Sequence, residues 1–188
     1  MTLSKEDRKA LLLLARESIV KSVSPGKDHA FTAPEPGELL EMNCGAFVSL
    51  YVEGKLRGCI GTFSEENTLF QNVKNMAVSA AISDSRFRPV EADELELLKI
   101  EISVLSPRER IYEIDGIVLG KHGIYMKKGT NRGTLLPQVA INQNWSVIEF
   151  LGNCAKYKAG IGWDGWKTAD LYIYEACVFS SEEFDSDC

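Results

Sequence analysis

Ala46-Phe47-Val48-Ser49-Leu50-Tyr51-Val52-Glu53-Gly54-Lys55-Leu56-Arg57-Gly58-Cys59-Ile60-Gly61 is the stretch on which the reading of the fold turns. Residues 46–52 have strand composition, and Glu53-Gly54 suits a tight turn, so the segment reads as a β-hairpin. Its return arm carries an arginine, a thiol and two glycines where a strand interior would avoid glycine. Simple alternation puts Arg57, Cys59 and Gly61 on one face and Leu56, Gly58 and Ile60 on the other. A guanidinium two residues from a thiol favours the thiolate, the form that attacks electrophiles and binds metals. Against this stands the burial of most cysteines, for which Cys59 is an inert core thiol.

Working outward, Ser4 caps an amphipathic helix to Val23, with Asp7 in its first turn. Pro25, Gly26, Pro34, Pro36 and Gly37 mark a surface connection over residues 24–44. After the hairpin, Asn67 or Thr68 caps a helix to about Ile82, whose apolar stripe is Leu69, Val73, Met76, Ala77 and Ala80. Asp84 to Pro89 is a loop, and Ile100, Ile102 and Val104 alternate with Lys99, Glu101 and Ser103 as a half-buried strand. A second hairpin spans Gly123 to Leu136. Ser146 and Glu149 form a capping box for a helix to about Lys158, with Gly160 as its stop. Residues 160–166 form a glycine and tryptophan loop, and Leu171 to Phe179 is the last strand. Paired strands with helices between them predict an α+β fold with a mainly antiparallel sheet.

The bulk properties bound the function. A chain of 188 residues with 45% hydrophobic and 26% charged residues forms a proper core in one domain. The formal charge of −6 argues against general nucleic-acid or anionic-membrane binding. Five cysteines without a CxxC pair suit a reducing, cytoplasmic setting, and no signal peptide or membrane span is legible. No nucleotide-binding glycine loop opens a helix, and His29 and His122 are too far apart in sequence to suggest a zinc site. No cofactor is implied.

Several motifs occur in a telling order. Leu56-Arg57-Gly58-Cys59-Ile60-Gly61 is followed by Asp84-Ser85-Arg86-Phe87, then by Arg132-Gly133 leading into Leu135-Leu136-Pro137-Gln138-Val139, then by Trp145 and Phe150-Leu151. This series closely resembles the AMMECR family from about Gly45 to Phe179. It is most similar to the A component of the AmmeMemoRadiSam set, in which such a protein is associated by genome context with a Memo-like protein and a radical S-adenosylmethionine protein. The resemblance implies an α+β fold with a larger and a smaller subdomain, read here as a single domain over 1–188 with its matched core at about 45–179. It implies those two proteins as partners and supplies no established reaction. This chain departs from the family pattern at Ser85, where proline is usual, and at Asn153, near which relatives often carry histidine.

Within these motifs, Arg57, Arg86 and Arg132 are guanidiniums suited to planar anions. Together with Gly58, Gly61, Asp84 and Gln138 they are the candidate ligand-binding residues. Cys59 is the candidate nucleophile or redox thiol, and His122 a weaker candidate proton carrier. The plainer alternative pairs Arg86 with Asp84 across the turn, Arg57 with a carboxylate such as Glu53, and His122 with the backbone. Two functions follow: a binding component that takes an anionic ligand, a partner protein or, as a weaker option, an RNA end, and an enzyme acting through Cys59.

Overall fold

The computed structural model describes residues 3–26, 41–64 and 66–183. Most of the expected surface connection, including Pro34, Pro36, Gly37 and also His29, lies outside the described residues. The elements are helices with mainly antiparallel strands, an α+β fold. The chain divides into two compact units, Met1–Leu105 with Cys177–Cys188, and Ser106–Ala176.

The first unit begins with α1 (Lys5–Val23). The Ser4 hydroxyl accepts the Asp7 N–H at 3.0 Å and the Asp7 carboxylate accepts the Ser4 N–H at 3.1 Å, a reciprocal cap that satisfies two end donors. Strands β1 (Ala46–Val52) and β2 (Lys55–Thr62) form the hairpin, and Glu53 and Gly54 both have positive φ, as its two-residue turn requires. Helix α2 (Leu69–Ile82) starts at the Thr68 cap, and β3 (Lys99–Leu105) pairs with β1. Ala46, Val48 and Leu50 of β1 and Ile100, Ile102 and Val104 of β3 join α1 and α2 in one core. Period-2 alternation therefore leaves Phe47, Ser49, Tyr51, Lys99, Glu101 and Ser103 on the opposite face of the sheet.

One irregularity decides the geometry of the site. A strict two-residue hairpin would set Ser49 opposite Gly58, yet the register shifts between Leu50 and Tyr51 and Ser49 lies opposite Cys59. Arg57 is the extra residue of this bulge, which takes it out of the simple alternation that the sequence suggests.

The second unit pairs β4 (Glu109–Ile111) and β5 (His122–Lys128) with β7 (Asp170–Ser180), and β6 (Asn131–Leu135) with β5, all antiparallel. Its core gathers Ile124, Met126, Leu135, Phe150, Leu151, Cys154 and Ile173. Strand β4 and the short helical turns Ala92–Leu97 and Trp163–Thr168 were not read from the sequence, nor were two further features. Pro137 opens a short helix, α3 (Pro137–Asn142), using its fixed φ at a position whose N–H needs no partner. The helix after Ser146 is α4 only over Val147–Asn153; it then widens at Cys154–Lys158, where the Ala159 N–H reaches back five residues to the Cys154 carbonyl at 2.9 Å. Strand β7 continues beyond this unit, and its Cys177 and Phe179 pack in the first core. Among the described residues no helix is long and apolar enough to cross a membrane.

Candidate functional site

Arg57, Gly58, Cys59, Gly61, Asp84 and Arg86 all belong to the first unit. All three guanidinium nitrogens of Arg57 are engaged. Its Nε and Nη2 donate to the two carboxylate oxygens of Glu94 at 2.7 and 2.8 Å, while Nη1 donates to the Arg88 carbonyl at 2.6 Å and Nη2 also to the Pro89 carbonyl at 2.9 Å. This fork holds the 84–94 segment against β2, with both side chains largely buried. Its carboxylate is Glu94, 37 residues away, and not Glu53.

Asp84 and Arg86 form the pair expected across the turn, and the pair then does more. The Asp84 side chain, 3% exposed, accepts from Arg86 Nε at 2.9 Å and Nη2 at 2.6 Å. It also accepts the backbone N–H of Cys59 at 2.8 Å, while Arg86 Nη2 donates to the Cys59 carbonyl at 2.8 Å. Together the two side chains meet both outward backbone groups of Cys59, as a neighbouring strand would.

The glycines have protein neighbours. A Cβ at Gly58 would lie 2.1 Å from the Ala80 carbonyl oxygen, so α2 approaches β2 there backbone to backbone. A Cβ at Gly61 would lie 2.1 Å from the ring of Phe47, its cross-strand partner. Both therefore serve close packing within the unit.

What remains open is narrower than the motif. Arg86 is 55% exposed at its side chain, and its recorded bonds use Nε and Nη2, leaving Nη1 without a partner among the described residues. Its guanidinium also interacts with the Cys59 thiol. Cys59 is half-buried, and its sulfur accepts a hydrogen bond from the Ser49 hydroxyl at 3.3 Å. Ser49 in turn faces Glu101 across β1 and β3, and the Tyr51 hydroxyl neighbours both. Burial pushes the Glu101 carboxyl and the Tyr51 phenol above their ordinary values. A polar row thus runs over three strands, from a thiol beside a fixed cation to a half-buried carboxyl.

His122, Arg132 and Gln138 belong to the second unit. His122 Nδ1 accepts the Val118 N–H at 3.1 Å, the backbone-bonded turn histidine of the plainer reading. Arg132 is exposed on β6 opposite Lys127, and Gln138 sits in the first turn of α3. Asn153 donates to the Glu149 carbonyl at 2.8 Å and so braces the end of α4. Among the described residues no group of His, Cys, Asp and Glu could hold a metal ion.

The two ion pairs predict an acid transition. The fork from Arg57 draws the Glu94 carboxyl down to about 2, and the Arg86 fork holds Asp84 well below the usual carboxylate range. A carboxyl with a depressed folded-state pKa contributes stability that is present above its unfolded value, near 4, and is lost as pH falls towards the folded value. Unfolding free energy should fall steeply from about pH 5 to about 2, with Glu94 accounting for roughly 3 kcal/mol. Denaturant titrations across this range check it. Glu94→Gln should be less stable at neutral pH and should shallow the slope.

Comparison with known proteins places the chain. The family model described as AMMECR1 matches residues 12–179. Protein MK0488 of Methanopyrus kandleri is 38% identical over 193 residues, covering 96% of this chain and 91% of that protein. Protein NEQ441 of Nanoarchaeum equitans is 35% identical over 182 residues, covering 92% and 99%. The crystal structure of the uncharacterized protein PH0010 from Pyrococcus horikoshii matches with a TM-score of 0.84 and 32% identity, covering 96% of this chain and 94% of that one. With most of its length inside the family model and relatives this similar along nearly their whole chains, the protein belongs to the AMMECR1 family.

Proposed function

We propose that this protein is a binding component that holds an anionic group, a carboxylate or phosphate, at Arg86 beside Cys59. One observation carries the reading: a guanidinium braced on Asp84 and on the Cys59 carbonyl, yet 55% exposed with Nη1 unspent. Bracing removes rotamer freedom before the ligand arrives, which lowers the cost of binding. The anion belongs to a small ligand or to a partner protein, and the Memo-like and radical S-adenosylmethionine proteins of the AmmeMemoRadiSam set are the candidates. Calorimetric titration with each purified partner tests this. Arg86→Lys, which keeps the charge and loses the planar fork, should weaken capture about tenfold, while Cys59→Ser should leave it within about twofold. Unchanged capture by Arg86→Lys contradicts the proposal.

A second reading rests on the 3.3 Å bond from the Ser49 hydroxyl to the Cys59 sulfur. Here Cys59 attacks an electrophilic substrate whose anionic group lies on Arg86. It requires Cys59→Ser to abolish a defined reaction. It also requires native Cys59 to be alkylated well ahead of Cys44 and Cys154, which are buried, the latter with its thiol pushed up to about 12 by burial.

A further inference from the structure

The first unit contains a cleft of about 210 Å³ at the turn end of its sheet, lined by Tyr51, Gly54, Lys99, Glu101, Ser180 and Glu182. Glu101 is the unusual member. It is half-buried on β3, and among the described residues only the Tyr51 hydroxyl tempers the cost of burying its carboxyl. A carboxylate held out of water without a cation is costly, and such groups occur where a cation is to be supplied.

We propose that this cleft is a binding site for the primary ammonium group of a small amine, with Glu101 as its counter-ion. The chemistry of the lining selects that group. An ammonium presents three donors and no acceptor. Two carboxylate residues, Glu101 and Glu182, and two hydroxyl residues, Tyr51 and Ser180, are among those lining the cleft. Among the described residues no group of three or more His, Cys, Asp and Glu gathers that could hold a metal ion, so the cleft is not a dedicated all-protein metal cage. Lys99 lines the cleft on the same face of β3, and its charge repels a second cation from its own side, which directs the ammonium to Glu101. At roughly 30 Å³ for each water in the liquid, the space admits a small organic cation and not a folded segment.

Glu101 stands at the opposite end of the polar row from the anion site at Arg86, and the test distinguishes the two. Full-length, ¹⁵N-labelled protein is titrated with n-propylammonium chloride and followed by backbone amide shifts, with sodium propionate as the control of similar shape and opposite charge. The expected result is saturable shifts at Gly54, Lys99, Glu101 and Ser180 with the amine only. Affinity should fall at least tenfold in Glu101→Gln and stay unchanged in Arg86→Lys. Tyr51→Phe, which removes only the hydroxyl, should weaken binding several-fold and serves if Glu101→Gln does not fold. Non-saturating shifts spread over surface carboxylates, equal binding of propionate, or wild-type affinity in both Glu101→Gln and Tyr51→Phe would overturn the proposal.

Discussion

Asp84→Ala should destabilise the protein by about 3 kcal/mol and weaken any anion held at Arg86 about tenfold. The stability loss follows from what the carboxylate accepts: the Cys59 N–H at 2.8 Å, the Arg86 N–H at 3.2 Å and the two guanidinium donors. An orphaned, partly buried N–H costs about 1–3 kcal/mol. The lost ion pair adds less than a fully buried one would, because Arg86 is 55% exposed and regains water when released. In a chain of this size the sum lowers the melting temperature by roughly 6–12 °C. The binding loss follows from Arg86 losing its brace on one side. Asp84→Asn keeps an acceptor for the Cys59 N–H and removes the charge, so it should lose about half as much stability. Thermal melts of the three proteins check the order.

Gly58→Ala is expected to be the most damaging of the simple glycine substitutions, at about 3 kcal/mol or more. Gly58 has no positive φ, so its need for glycine is steric. The added Cβ would meet the Ala80 carbonyl oxygen at 2.1 Å and its carbonyl carbon at 3.0 Å, and these are backbone atoms of a helix whose Leu69, Val73, Ala77, Ala80 and Ala81 are buried. Relief requires moving α2 bodily off the sheet. Gly61→Ala meets a ring that can rotate, that of Phe47, and should cost about 1–2 kcal/mol. Gly116→Ala, with nothing within 4 Å and no positive φ, should be neutral or slightly stabilising. Denaturant midpoints that ranked Gly61 above Gly58 would contradict the close approach of α2.

These expectations show where the sequence speaks and where it stops. The hairpin, the Ser4 cap, the capping box at Ser146, a cap at Asn67 or Thr68 and the Asp84–Arg86 pair depend on residues a few positions apart, and short-range chemistry determines them. The partner of Arg57 does not, because Glu94 is 37 residues away and any of several acids would satisfy a guanidinium on composition alone. The bulge at Leu50/Tyr51 is likewise silent in the sequence, yet it decides that Ser49 faces Cys59. Without that register the row from Cys59 through Ser49 to Glu101 has no basis. Gly58 and Gly61 were legible as places of close approach, but not what approaches them, because a ligand and a helix backbone ask the same of a glycine. Arg57 and the glycines, which look like parts of a pocket in the motif, hold the 84–94 segment, α2 and Phe47 in place, and of the two arginines in this unit's motifs Arg86 is the one left with a donor nitrogen to spend.

Arg57 and Arg86 divide structure and binding between them, and phosphate titration separates the two roles. Inorganic phosphate is titrated into ¹⁵N-labelled wild-type, Arg57→Lys and Arg86→Lys proteins, and the melting temperature of each is recorded. Saturable amide shifts are expected at Cys59 and Ser85–Phe87 in the wild type, retained in Arg57→Lys at a lowered melting temperature and weakened about tenfold in Arg86→Lys. Phosphate shifts that vanish in Arg57→Lys and persist in Arg86→Lys would contradict this division.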